Sequence, residues 1–165
     1  MVDDPCQRSC SIIDCSITMM KSPVRSLEEK IRNAFGCVAA IESISAQEAR
    51  ELNHGINRLD NASVKRFLPL LMLRELYAEN MFSFQGTGDH LVYFLDGALQ
   101  RQKHDADISG NYQSYYEQLK IVERRFSEFS KCEADAILAW LREVAIPKYG
   151  EMCNDDIESA IQFWE

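Results

Sequence analysis

The chain has 165 residues, 46% hydrophobic and 27% charged, with 7 Gly and 4 Pro, which suits one globular domain and excludes a disordered or fibrous chain. Its 26 acids against 18 bases leave −8 at pH 7, a sign that repels nucleic-acid phosphates and anionic membrane surfaces and suits a basic protein as partner. No run approaches the ~20 apolar residues of a membrane span. The acidic start "MVDDPCQRSC", with Asp14 interrupting the next apolar stretch, argues against a signal peptide, so the cytoplasm is the expected compartment.

Residues 1–20 lack periodicity and hold Cys6, Cys10 and Cys15, so they read as an appendage to a single domain over residues 21–165. "SLEE" at 26–29 is a capping box, with Leu27, Ile31, Ala34 and Phe35 on one face of the helix it opens and Gly36 as its stop. "SAQE" at 45–48 repeats the device for a short helix ending near "NHG". Asp60 or Ser63 starts the next, "SVKRFLPLLMLRELYAEN", apolar nearly all round and therefore central. Pro69 within it predicts a kink or a division into two pieces.

After a turn at "GTGDH", Asp89 is placed to cap a helix carrying Leu91, Val92, Leu95, Ala98 and Leu99. A loop over 105–111 then leads to a helix with Leu119, Val122 and Phe126 inward. "SKCE" at 130–133 is a third capping box, opening a stripe of Ala134, Ile137, Leu138, Leu141 and Val144 that Pro147 and Gly150 should end. Asn154 or Asp155 caps a last helix through Ile157, Ile161 and Trp164. The fold class is all-α, a single-domain bundle of about seven helices. Cys37 and Cys132 read as small apolar fillers, and Cys153 is scattered from the rest.

The stretch "DADISGNYQSYY" at 105–116 begins like a calcium-binding EF-hand loop, with Asp105, Asp107, Ser109 and Gln113 at ligand positions, Asn111 between them and Gly110 at the turn. Its closing position is Tyr116 where the loop needs a bidentate Glu, so a polar connection is the favoured reading and no resident metal or cofactor is expected. Glycine-rich phosphate loops, H-E-x-x-H and G-x-S-x-G are absent, and neither Asp89–His90 nor Asp155–Asp156 forms a convincing catalytic pair. A helix-turn-helix over 45–79 would present core residues to DNA, so nucleic-acid binding is not expected either.

The surface of the last segment is more informative. "EMCNDDIESAIQFWE" carries Glu151, Asp155, Asp156, Glu158 and Glu165 with no Lys or Arg, flanking Phe163 and Trp164. One reading is a partner-binding face in which Glu151, Asp155, Asp156 and Glu158 steer a basic protein and Trp164 anchors it. The other is that Trp164 closes the core and the acids complement a helix dipole.

"RFLPLLMLREL", "HLVYFLDGAL", "FSEFSKCEADAILAWLREV" and "IESAIQFW" together resemble a small all-helical bacterial family of unknown function, over residues 26–165. The resemblance implies the fold and carries no activity. Function therefore rests on surface character: a non-enzymatic binding protein, most concretely an immunity or antitoxin protein against a basic toxin. A calcium- or metal-responsive helical protein using the 105–116 segment is the alternative, and an enzyme with an unrecognised site the third.

Overall fold

The computed structural model describes residues 23–36, 38–39, 43–78 and 88–165. Among them the secondary structure is helical: α1 (Pro23–Phe35), α2 (Ala46–Gly55) with a 3-10 turn (Ile56–Arg58), α3 (Asn61–Tyr77), α4 (Gly88–Asp96), α5 (Leu99–Ser109), α6 (Gln113–Phe126), α7 (Lys131–Trp140) and α8 (Ile146–Trp164). A π-helical turn (Leu141–Ala145) joins α7 to α8 in one run, so the all-α bundle has seven helices among the described residues. The expected appendage over 1–20, Cys37 and the first two residues of the "GTGDH" turn lie outside the described residues, while Gly88, Asp89 and His90 already belong to α4.

Local signals account for most of the helix starts. Ser45 and Glu48 cap α2 reciprocally, with Ser45 Oγ accepting from the Glu48 amide at 3.1 Å and Glu48 accepting from the Ser45 amide at 2.7 Å. Ser130 and Glu133 do the same for α7, and Asp60 caps α3 by accepting from the Ser63 amide at 2.7 Å. Ser26 departs from expectation. α1 begins at Pro23, so Ser26 lies inside its first turn. Proline loses nothing at a helix start, where its missing N–H would have had no partner, and its fixed φ favours the turn.

α3 is the central helix. Val64, Leu68, Leu70, Leu71, Met72 and Leu73 are all buried, so its middle, residues 68–73, is enclosed on every side. Pro69 is also buried, and α3 runs through it without dividing. Trp140, fully buried on α7, donates its indole N–H to the Met72 carbonyl at 3.0 Å and ties α7 to α3. α1 packs on α3 and α7, α4 and α5 on α8, and α5 on α6 as a hairpin.

Two breaks differ from those expected. The helix begun at residue 88 stops at Asp96, because Gly97 and Ala98 both take left-handed backbone, φ +63° and +62°. α5 then occupies 99–109, where a loop was expected to follow. In the second case, Pro147 does not end the last amphipathic run. Its ring clashes with the carbonyl one turn earlier and it has no N–H to donate, so the preceding turn widens to π geometry, with the Ile146 amide reaching the Leu141 carbonyl. The chain stays helical through Gly150 to Trp164, with a kink where Cys153 leaves helical geometry at φ −130°, ψ 29°.

Candidate binding groove

The hairpin of α5 and α6 lies beside α8, and the three helices enclose an open groove of about 750 Å³. Its floor is aromatic: Phe126, Phe129, Phe163 and Trp164. The rings interlock, with Trp164 centred 4.8 Å from Phe126, 5.5 Å from Phe129 at 80°, and 5.5 Å from Phe163 at 90°. Asp155 and Glu158 line the α8 wall, with Glu123 from α6 and Lys103 from α5 opposite them. Three carboxylates against one amine give the lining a negative balance.

Asp155 also borders a neighbouring hollow of about 420 Å³, shared with Glu151, Asp156, Arg101 and His104. All five residues expected to bind a partner fall on α8, and each lines one or both of these two hollows. Glu151, Asp155 and Glu158 are exposed, and Glu158 accepts from Asn154 Nδ2 at 2.8 Å. Asp156 is half-buried, and burial, followed by the charge of Asp155, raises its carboxyl above the ordinary aspartate range.

Of the two readings of Trp164, the structure fits closure of the core. Trp164 is 8% exposed and donates its indole N–H to the Leu95 carbonyl at 3.0 Å, so it closes the core while forming part of the groove floor. A Trp at the end of a long helix is drawn inward because its large apolar ring gains from burial once the N–H has a partner. Phe163 beside it is half-buried. Glu165 pairs with Arg142 at 2.5 Å rather than facing a partner.

Sequence reasoning missed Lys103, Glu123 and the floor residues Phe126 and Phe129 as members of the site. They are distant in sequence from α8, and no local pattern links them to it. It also missed Asp96, which is fully buried where α4 meets α5. One Asp96 oxygen accepts from the Gln100 amide at 3.2 Å, which satisfies a first-turn amide of α5 from three residues ahead of Leu99. Burial raises its carboxyl to about 6, against hydrogen bonds from Ser159 and Gln100 that favour the charged form, while Asp156 adds repulsion.

The segment 105–116 does not form the loop of an EF-hand. Asp105, Asp107 and Ser109 are helical residues of α5, and Gly110 ends that helix in left-handed backbone, φ +69°. Ser109 Oγ donates to the Asp105 carbonyl at 2.8 Å, and Asp107 accepts from the Tyr112 hydroxyl. Asn111 accepts from the Gln113 amide at 3.1 Å, while Gln113 Nε2 donates to Glu117 at 2.7 Å. The would-be ligands are spent on local caps because helical backbone spreads successive oxygens around an axis instead of wrapping them around an ion. Among the described residues no group of three or more His, Cys, Asp or Glu is placed to hold a metal.

One further residue departs from its expected role. Cys132 is disulfide-bonded instead of serving as a free apolar filler, whereas Cys153 is a half-buried thiol at the α8 kink. His90 is exposed and its ring lies against that of His54, with 4.2 Å between centroids.

No family model matches the chain, and no curated protein or solved structure shows significant similarity to it. Among the described residues no helix is long and apolar enough to cross a membrane.

Proposed function

We propose that the protein is a non-enzymatic binding module that captures a basic protein partner in the groove between α5, α6 and α8. The most concrete form of this reading is an immunity- or antitoxin-type inhibitor of a basic toxin. The observation that carries it is the placing of Asp155, Glu158 and Glu123 around an aromatic floor. A lysine or arginine entering such a groove gains from the carboxylates and from the ring faces together. The molecule already uses this chemistry internally: Lys65 Nζ sits 5.1 Å from the Phe129 ring centre and 3.1 Å from a Glu133 oxygen. The net charge of −8 adds longer-range steering of a basic partner.

A cytoplasmic site of action belongs to the same reading. It sets a condition, because disulfides such as that of Cys132 persist mainly in oxidising compartments.

The test is retention of a basic protein by the tagged chain at moderate salt, followed by binding kinetics of the recovered partner. The variant Glu123→Gln/Asp155→Asn/Glu158→Gln should slow association about tenfold or more at low salt, an effect that rising salt erases. Neutralising Glu51 and Glu143, exposed acids that do not line the groove, should leave association nearly unchanged. Equal loss in both variants would reduce the acids to general solubility.

A further inference from the structure

His54, His90 and His104 are all exposed, and two of them meet. The rings of His54 on α2 and His90 on α4 stand 4.2 Å apart between centroids, tilted by 60°. We propose that His54 and His90 form a two-imidazole site for a divalent transition-metal ion of the zinc, nickel and copper class.

The chemistry favours those ions because imidazole nitrogen is a ligand of intermediate softness that suits them and not calcium or magnesium. The two rings meet at one spot on the surface. With metal–nitrogen bonds of about 2.0–2.1 Å, two imidazoles on one ion hold their ring centres roughly 4.5 Å apart at a right-angle nitrogen–metal–nitrogen geometry and roughly 5.2 Å apart at a tetrahedral one. The observed 4.2 Å is direct ring contact, so the side chains must turn apart to admit the ion between them.

Both ligands are also held from behind. His90 is followed by Leu91 and Val92, each fully buried in the core. His54 lies between buried Asn53 and buried Ile56, on a helix started by the Ser45–Glu48 capping box. The backbone under each ring is therefore fixed by packing before any ion arrives, which lowers the ordering cost of binding. Each imidazole has two nitrogens, so a second contact by either ring orients the ligand and leaves the other nitrogen for metal. With two protein ligands the other coordination positions fall to water, and the bound ion would clamp α2 to α4.

Isothermal titration of the full chain with nickel chloride, in a non-chelating buffer, tests the site. Thiol sites are present in every variant and cancel in the comparison. His54→Ala and His90→Ala should each weaken binding at this site tenfold or more. The double variant should be no weaker than either single one, because both rings serve one ion. His104→Ala, which removes the exposed histidine of α5, should change nothing. Circular dichroism of each variant confirms that the helices persist, and His54→Gln and His90→Gln stand in for any alanine variant that fails this check. Small, independent losses at all three histidines, or single variants that bind nickel as the natural chain does, would overturn the proposal.

Discussion

Replacing Asp96 by Asn isolates the energetic effect of a buried carboxyl that no cation among the described residues offsets. Its folded-state value of about 6 stands roughly two units above the ordinary 3.8. At about 1.4 kcal/mol per unit, the ionised form costs roughly 3 kcal/mol more in the folded protein than in the unfolded chain. The sign follows from proton binding. Between about pH 4 and 6 the folded state holds the proton that the unfolded chain has released, so this group's contribution is fully present below 3.8 and lost as pH rises through about 6. Asparagine does not titrate and keeps an oxygen for the Gln100 amide, while its amide N–H needs a new acceptor, a cost that is independent of pH. The measurement is urea unfolding of both proteins at pH 4, 5, 6 and 7.5. The stability of Asp96→Asn relative to the natural chain should rise by roughly 2.4 kcal/mol between pH 4 and 7.5, since a small part of the full difference is already lost at pH 4. Taking the difference cancels the acid-induced losses of all other carboxyls except those coupled to Asp96, chiefly Asp156. A difference that stays flat across this range would refute the assignment of Asp96 as a buried, protonatable group.

Five shorter tests bear on the fold. Gly97→Ala would place a Cβ 2.5 Å from Val122 Cγ2 on a residue at φ +63°, so it should cost roughly 2–4 kcal/mol in urea unfolding. Adding Val122→Ala should not restore stability, since the backbone strain remains and a core side chain is lost. Ser130→Ala should cost about 1 kcal/mol through loss of the α7 cap. Ser26→Ala should be nearly neutral by the same assay, because Ser26 lies within α1 and caps nothing at its start. Trp164→Ala should unfold the protein at a thermal midpoint well below that of the natural chain, with a loss of roughly 3–5 kcal/mol that a surface anchor would not show. Mass spectrometry after iodoacetamide treatment of the denatured, unreduced chain should find Cys153 alkylated and Cys132 blocked, with Cys132 reacting only after reduction.

The local signals that survived into the structure are those whose physics closes within one turn. The Ser45–Glu48 and Ser130–Glu133 boxes and the Asp60 cap are of this kind, and so is the Gly36 stop at φ +74°. Misread elements are those decided by neighbours. Leu91, Leu95 and Leu99 keep helical spacing across the break at Gly97 and Ala98, so periodicity carries no trace of it. α5, "LQRQKHDADIS", has too few apolar residues to announce itself and owes its order to the contacts with α6 and α8. In the groove, the acids of α8 stood out as a charge bias in one segment. The floor did not, because Phe126 and Phe129 meet Phe163 and Trp164 across more than thirty residues of chain.

The shape of the final helical run explains why those acids reach the groove at all. Lys131 to Trp164 is 34 residues, and a straight helix of that length would extend about 50 Å. That exceeds the roughly 40 Å across a domain of this size, so a straight run would carry its acidic end past the body of the protein. The π turn before Pro147 and the kink at Cys153 redirect it. α7 can then pack on α1 and α3, while α8 returns along α4 and α5. The return is locked by Trp164 on the Leu95 carbonyl, one residue before buried Asp96. At the same corner Gln118 Nε2 donates to the Gly97 carbonyl at 2.7 Å, holding α6 against the α4–α5 break. The groove walls thus come from one corner, and on the proposed binding reading a change at Gly97 or Asp96 should alter retention of a basic partner without touching any residue of the rim.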